Sequence, residues 1–313
     1  MSEIDALTLR GTQLLTGRDA PLAPSQGIAE LSRASELGGA DATAILAALA
    51  GMGVDAPPNW PRALELLALA AERGSEGARG QLRLLGGQPD AQDGWARLAQ
   101  GIDIAAWTAP PVRRPICEAP RIRMLDGFVS PEVCAWLIGI GRARLTQAQV
   151  YDARTGGAAI DAARTNSAFE LSIVDVDLVT VLARARIAAA ANVPLGALEP
   201  PQLLHYAVGQ TFGRHYDYLD VSQPGYAKDV AAHGQRVLTA LIYLNDGYEG
   251  GETAFPRAGI EVRARTGDGV MFANVDRANA VDPMSLHAGE PPTSGEKWVF
   301  SQWIRDRAQG SGG

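Results

Sequence analysis

LLHYAVGQTFGRHYDYLD (Leu203–Asp220) is the stretch on which the reading of this chain turns. It carries His215 and Asp217, two metal-competent side chains one residue apart. On a β-strand successive side chains alternate faces, so these two point to one side and Tyr216 to the other. An imidazole nitrogen and a carboxylate oxygen at that spacing can take adjacent positions on one octahedral metal. A third ligand has to arrive from elsewhere, and His287 in MSLHAGEPP (Met284–Pro292) is the candidate. The pair alone is a moderate signal, because structural ion pairs produce the same pattern.

Lys297 strengthens it. It opens KWVFSQWI (Lys297–Ile304), where period-2 alternation puts Lys297, Val299, Ser301 and Trp303 on one face. A lysine among inward-facing apolar residues needs an anion, because an unpaired buried ammonium is costly. A dicarboxylate co-substrate supplies one. Two histidines and one carboxylate with open positions form the facial ligand set of non-haem Fe(II) oxygenases.

With these residues the chain resembles the Fe(II)/2-oxoglutarate dioxygenases of the prolyl 4-hydroxylase family. The match is carried by His215-x-Asp217, His287, Lys297, Tyr206 and RVLTALIYLNDGYEGGETAFP (Arg236–Pro256), over roughly Arg121 to Arg307. The resemblance implies a hydroxylase with Fe(II), 2-oxoglutarate and O2 as cofactors and ascorbate as an accessory reductant. It implies His215, Asp217 and His287 as catalytic metal ligands, and Lys297 at the far carboxylate of 2-oxoglutarate. Tyr206, and Thr239 if the alternating run VLTALIYL turns it inward, add hydroxyls there; the competing reading of Thr239 is a packed sheet residue. Arg164, in an Arg-Thr-x-Ser pattern, and Trp303 are expected to face substrate, although Arg164 also reads as a surface ion pair. Phe212 stands where many relatives carry a tyrosine, which removes a hydroxyl near the substrate. Arg236 is the alternative anion site. The acids of Glu249-Gly-Gly-Glu252 are read as structural, and His205 and His233, the latter in an expected loop, are assigned no metal.

The fold expected is α+β. Strands separated by turns after Pro200 suggest a double-stranded β-helix (jelly roll) buttressed by helices. Helices are predicted from Ser130 to about Leu145 and over Val176–Ala191, and strands over Arg121–Phe128 and Ala162–Leu171. Ser130 reads as an N-cap followed by Pro131.

Ahead of this lies an all-α helical-repeat domain. Within residues 1–108, ASELGGADATAILAALAG (Ala34–Gly51) recurs 36 residues later as AAERGSEGARGQLRLLGG (Ala70–Gly87). Small residues at fixed places let helices pack closely, and the pattern resembles the Sel-like branch of the tetratricopeptide superfamily. Ile4–Thr16 reads as part of a degenerate earlier unit and Trp95–Ala106 as a capping helix. The repeats suit either recruitment of a peptide or protein substrate or a structural cap. Residues 109–120, TAPPVRRPICEAP from Thr108, read as a Pro-rich linker, 121–308 as the dioxygenase domain and 309–313 as a flexible tail.

The chain's 313 residues suit two domains. A net charge of −7 without a basic block disfavours nucleic acid, and no apolar run is long enough for a membrane span. Two cysteines, Cys117 and Cys134, read as free thiols, and the acidic start argues against a secretory signal. These points favour a cytoplasmic enzyme. Peptidyl-proline hydroxylation is the preferred activity. The alternatives are hydroxylation of a free amino acid or small metabolite, or a non-catalytic interaction protein.

Overall fold

The computed structural model describes residues 1–87, 94–152, 157–159 and 163–308. The tail expected at 309–313 and the Ala162 start of a predicted strand lie outside the described residues. The chain divides into two compact units, one of residues 1–109 with 171–186, the other of 110–170 and 187–309.

The first unit is built from α1 (Glu3–Thr16), α2 (Pro24–Glu36), α3 (Ala40–Met52), α4 (Trp60–Glu72), α5 (Glu76–Gly86), α6 (Trp95–Gln100) and α7 (Ile104–Thr108). The 36-residue period is visible in it: α2 and α4 start 36 apart, as do α3 and α5. Gly38 and Gly74 close equivalent turns with φ of 95° and 98°, a region where only glycine escapes Cβ strain. The predicted capping helix is two short ones, α6 and α7, broken at Gly101. Leu15, Leu31, Ala34, Ala42 and Leu49 form a core, and Ile173 and Val174 pack against it. A Cβ on Gly51 would stand 2.9 Å from Leu178 Cδ1, so the Leu178 side chain packs directly on this glycine. Gln81 accepts the Leu178 backbone N–H at 2.9 Å. Residues 171–186 therefore belong to this unit, although they lie within the stretch read as catalytic.

The second unit holds β1 (Arg113–Glu118), β2 (Arg121–Leu125), α8 (Pro131–Arg142), β3 (Thr146–Gln147), β4 (Val150–Asp152), β5 (Gly157–Ala159) and β6 (Ser167–Glu170). After α9 (Leu178–Ala191) come β7 (Gln202–Tyr206), β8 (Phe212–His215), α10 (Pro224–His233), β9 (Arg236–Tyr243), β10 (Glu249–Gly250), β11 (Thr253–Phe255) and β12 (Ile260–Val262). The last strands are β13 (Gly269–Ala273), β14 (His287–Gly289), β15 (Pro292–Ser294) and β16 (Lys297–Arg305). Ser130 caps α8 through its hydroxyl, as its sequence position predicts.

An eight-stranded sheet runs β1-β2-β13-β9-β16-β7-β6-β3, and a four-stranded sheet runs β12-β11-β14-β8. From β7 to β16 the chain crosses repeatedly between these sheets, in the winding of a double-stranded β-helix. Tyr206, Tyr243, Phe272 and Val299 of one sheet and Phe255 and Val262 of the other share one core.

Three expectations change. Residues 113–118, inside the stretch read as a linker, form edge strand β1 beside β2. An edge position tolerates Pro115, whose missing N–H breaks no inner ladder. His233, expected in a loop, ends α10, whose first turn accepts Pro224. The strand carrying His215 stops there, so Asp217 lies in a bend beyond it.

Candidate active site

His287 and His215 are register partners on β14 and β8, which places two imidazoles side by side. Asp217 joins them: His215 Nε2 lies 3.6 Å from its Oδ1 and His287 Nε2 3.5 Å from its Oδ2. One ligand atom from each of the three residues falls within 4.8 Å of the others, the one such group among the described residues.

The tautomers suit a metal. His215 Nδ1 lies 2.8 Å from the Gly213 carbonyl and His287 Nδ1 3.0 Å from that of Ser285. A carbonyl only accepts, so each Nδ1 carries the proton and each Nε2 turns its lone pair inward. Burial, reinforced by His215, pushes His287 down to about 4, so it is neutral at pH 7. Burial opposes the charge on Asp217, but the neighbouring imidazoles and the Thr239 hydroxyl outweigh it and hold the carboxyl below the usual range. Two neutral nitrogens and one anionic oxygen fit a divalent iron.

The same pocket is lined by Lys297, Tyr206, Thr253 and Trp303. Lys297 is fully buried and donates to the Gly251 carbonyl at 2.7 Å. Two of its three N–H donors remain for another acceptor. Gly250 and Gly251, with φ of 69° and 70°, make the turn that brings that carbonyl in. The ammonium sits 5.1 Å from the Tyr206 ring centre and 5.5 Å from that of Tyr243. Burial lowers its pKa to about 7, while Glu252 and Glu290 work the other way. Burial also pushes the Tyr206 phenol up to about 12, so it stays a donor. A carboxylate arriving here meets an ammonium and hydroxyl donors, the arrangement that the far end of 2-oxoglutarate needs.

Thr239 is not part of that arrangement. Its β9 position pairs with Trp303, six residues along β16 from Lys297, or about 20 Å. Its hydroxyl instead donates to Asp217 Oδ2 at 2.6 Å. The threonine lining the pocket is Thr253, whose Oγ1 accepts from the Tyr243 hydroxyl at 2.7 Å. Sequence reasoning missed it, although it ends the Gly-Gly-Glu-Thr run quoted above; alternation shows which face a residue takes, not how far along the sheet it lies.

Arg164 is buried rather than in a surface ion pair. It donates to the Gln149 carbonyl at 2.8 Å and lies 4.3 Å over the Phe212 ring. Phe212 in turn stacks on His215 at 3.5 Å, so the missing hydroxyl is replaced by a ring that backs a metal ligand. Trp303 is covered by Arg236 at 3.6 Å. Arg236 is no anion site, because Glu199 takes it in two contacts of 2.7 and 2.8 Å. His205 pairs with Glu296 at 2.9 Å and His233 with Asp229 at 2.8 Å, outside the metal group. Cys117 and Cys134 are unpaired with each other, and burial pushes the Cys134 thiol up to about 12.

Comparison with known proteins agrees with this geometry. The 2OG-Fe(II) oxygenase superfamily profile matches residues 201–305. Prolyl 4-hydroxylase 1 of Arabidopsis thaliana is 36% identical over 204 residues, 61% of this chain and 70% of that protein. Prolyl 4-hydroxylase 5 of the same plant is 32% identical over 205 residues, 59% of this chain and 68% of that one. Among solved structures, the 2OG complex of the viral collagen prolyl hydroxylase from Paramecium Bursaria Chlorella virus-1 is 25% identical. It covers 61% of this chain and 98% of that one, with a TM-score of 0.47. On its triad, its buried lysine and its extended identity to the two Arabidopsis prolyl 4-hydroxylases, the chain belongs to the prolyl 4-hydroxylase family and is a 2-oxoglutarate- and Fe(II)-dependent dioxygenase.

Proposed function

We propose that the chain hydroxylates prolyl residues within a peptide or protein. The observation that carries this reading is a cleft of about 710 Å³ that opens off His215 and Asp217. Its lining includes the exposed Thr146, Gln147, Glu170 and Arg214, so it opens to solvent. A large open cleft suits a polypeptide segment, whereas small-molecule sites bury most of their ligand. The names of the relatives favour proline as the target.

In this reading His215, Asp217 and His287 hold the iron. Lys297, Tyr206 and Thr253 hold the far carboxylate of 2-oxoglutarate. Phe212 and Trp303 wall the reacting centre against water, which strengthens the polar contacts inside. Iron, 2-oxoglutarate and O2 supply the oxidising chemistry for C–H hydroxylation; the protein supplies placement. The test incubates the full chain with Fe(II), 2-oxoglutarate, ascorbate and either proline-containing peptides or free amino acids. Succinate release coupled to a one-oxygen mass gain on peptide proline is expected. Product from free amino acids alone would select the small-metabolite reading.

Gly289 sharpens the co-substrate assignment. A Cβ there would stand 3.0 Å from the Tyr206 hydroxyl oxygen. Gly289→Ala should displace that hydroxyl at a cost of about 1 kcal/mol. The 2-oxoglutarate KM should rise roughly fivefold with kcat little changed; an unmoved KM removes Tyr206 from this role.

Recruitment of a protein substrate by the Sel-like repeats is a separate proposal. Leu9, Leu22 and Leu37 are exposed apolar side chains of that unit and offer the contact surface. Changing them to Ser should slow turnover of a protein substrate and spare a short peptide. A truncation at the end of the repeats is a poor substitute, because it would strip the cover from Ile173, Val174 and Leu178. A cytoplasmic location is also proposed, on the two free thiols, and cell fractionation tests it. Among the described residues no helix is long and apolar enough to cross a membrane.

A further inference from the structure

Asp217 has no strand ladder to hold it, since β8 ends two residues earlier. Its carboxylate is held from behind by two polar side chains that are almost wholly buried, Thr239 at 1% exposure and Asn274 at 0%. Asn274 Nδ2 donates to Thr239 Oγ1 at 3.0 Å, and Thr239 donates to Asp217 Oδ2 at 2.6 Å. An ionised carboxylate only accepts and a hydroxyl has one proton, so the direction is forced: amide to hydroxyl to carboxylate. Asn274 is itself pinned. Its N–H donates to the Val237 carbonyl at 2.9 Å, and its carbonyl accepts from Asp282 N–H at 3.0 Å. The other end of its side chain, Oδ1, has no partner among the described residues. A buried amide that leaves one atom unsatisfied forgoes stability, which is understandable where its remaining bond serves a site.

We propose that Thr239 and Asn274 are positioning residues for the iron. They anchor Asp217 by Oδ2 and thereby present Oδ1, beside His215 Nε2, as the anionic ligand. Neither residue lines the pocket, so each acts through Asp217. The inference rests on the reading of His215, Asp217 and His287 as the metal site. Groups that orient a metal ligand typically contribute 10- to 100-fold in metal affinity.

The experiment titrates Co(II), as a coloured stand-in for Fe(II), into the full apo chain, following both affinity and the visible ligand-field bands. Thr239→Val should weaken Co(II) binding roughly 10- to 100-fold and shift the bands. Thr239→Ser, which restores the donor, should bind like the parent. Asn274→Ala should weaken binding by a smaller factor. Because it acts through Thr239, it should add nothing in the Thr239→Val background, where independent effects would add. Parent-like affinity and spectrum in Thr239→Val, or additive losses in the double variant, would overturn the proposal. Circular dichroism of each apo variant reports the fold. If Thr239→Val does not fold, Asn274→Ala carries the test, and parent-like binding there overturns the proposal. A parent chain that takes up no Co(II) would sink the metal site itself, a result distinct from either.

Discussion

Asp217→Ala is expected to lose iron and turnover together. Asp217 is the one anion among the three ligands, and an imidazole that coordinates a metal through Nε2 brings no charge to offset the ion's. Removing one partner from a buried charged cluster costs on the order of 3–5 kcal/mol, or two to more than three orders of magnitude in affinity. The apo fold should suffer far less, because the substitution also removes a buried charge and leaves the Thr239 hydroxyl as its main orphan. Metal analysis after gel filtration, with melting curves of apo and iron-loaded protein, separates the two effects. The parent should gain thermal stability from Fe(II) by mass action, and the variant should not. Asp217→Asn keeps an acceptor for Thr239 but not the charge, and should behave like Ala. Full iron content in either variant would remove Asp217 from the ligand set.

The second large effect is expected at Lys297. Lys297→Met keeps the shape and removes the charge. It should raise the 2-oxoglutarate KM by roughly 10- to 150-fold, since charge-assisted hydrogen bonds contribute about 1.5–3 kcal/mol, and it should leave iron affinity intact. The pH dependence follows from the lysine's depressed pKa of about 7. A bound carboxylate needs the protonated lysine, so co-substrate affinity in the parent should fall as pH rises above about 7. Near pH 8, binding should take up close to one proton per site, measurable as a buffer-dependent heat. Stability runs the opposite way. The unfolded chain, with its lysine near 10.5, binds more protons than the fold between about pH 7 and 10.5. This lysine therefore costs stability at neutral pH, and the cost fades as pH rises through that window. Lys297→Met should melt higher than the parent at pH 7 and show no such window. A pH-independent KM in the parent, or an unchanged KM in the variant, would move the anion site elsewhere.

Much of this was legible in the sequence wherever a local period carried the information. Strand β16 shows it most plainly: Lys297, Val299, Ser301 and Trp303 all line the pocket, because a strand's period of two fixes which side chains share a face. The 36-residue recurrence reappears as two helix pairs, because small residues and turn glycines act within a few residues of themselves. His215, Asp217, His287 and Lys297 were identified by type, spacing and family pattern, and the fold brings them to one pocket. Distance between elements was not legible. Thr239 shares the inward face with the pocket yet sits about 20 Å along β16 from Lys297; Thr253, from another strand, lines the pocket in its place. Arg236 read as a spare cation, and only the fold brings Glu199 to it. His215 and Asp217 do converge, but not by strand alternation, because the strand ends between them. Asp217 accepts a hydrogen bond from Thr239 of β9, and Thr239 in turn accepts one from Asn274 just after β13. Periodicity is set by each residue's own backbone, so the sequence alone determines it; register, and the partners that register brings within bonding distance, are set by contacts between strands far apart in the chain, and only the tertiary structure decides them.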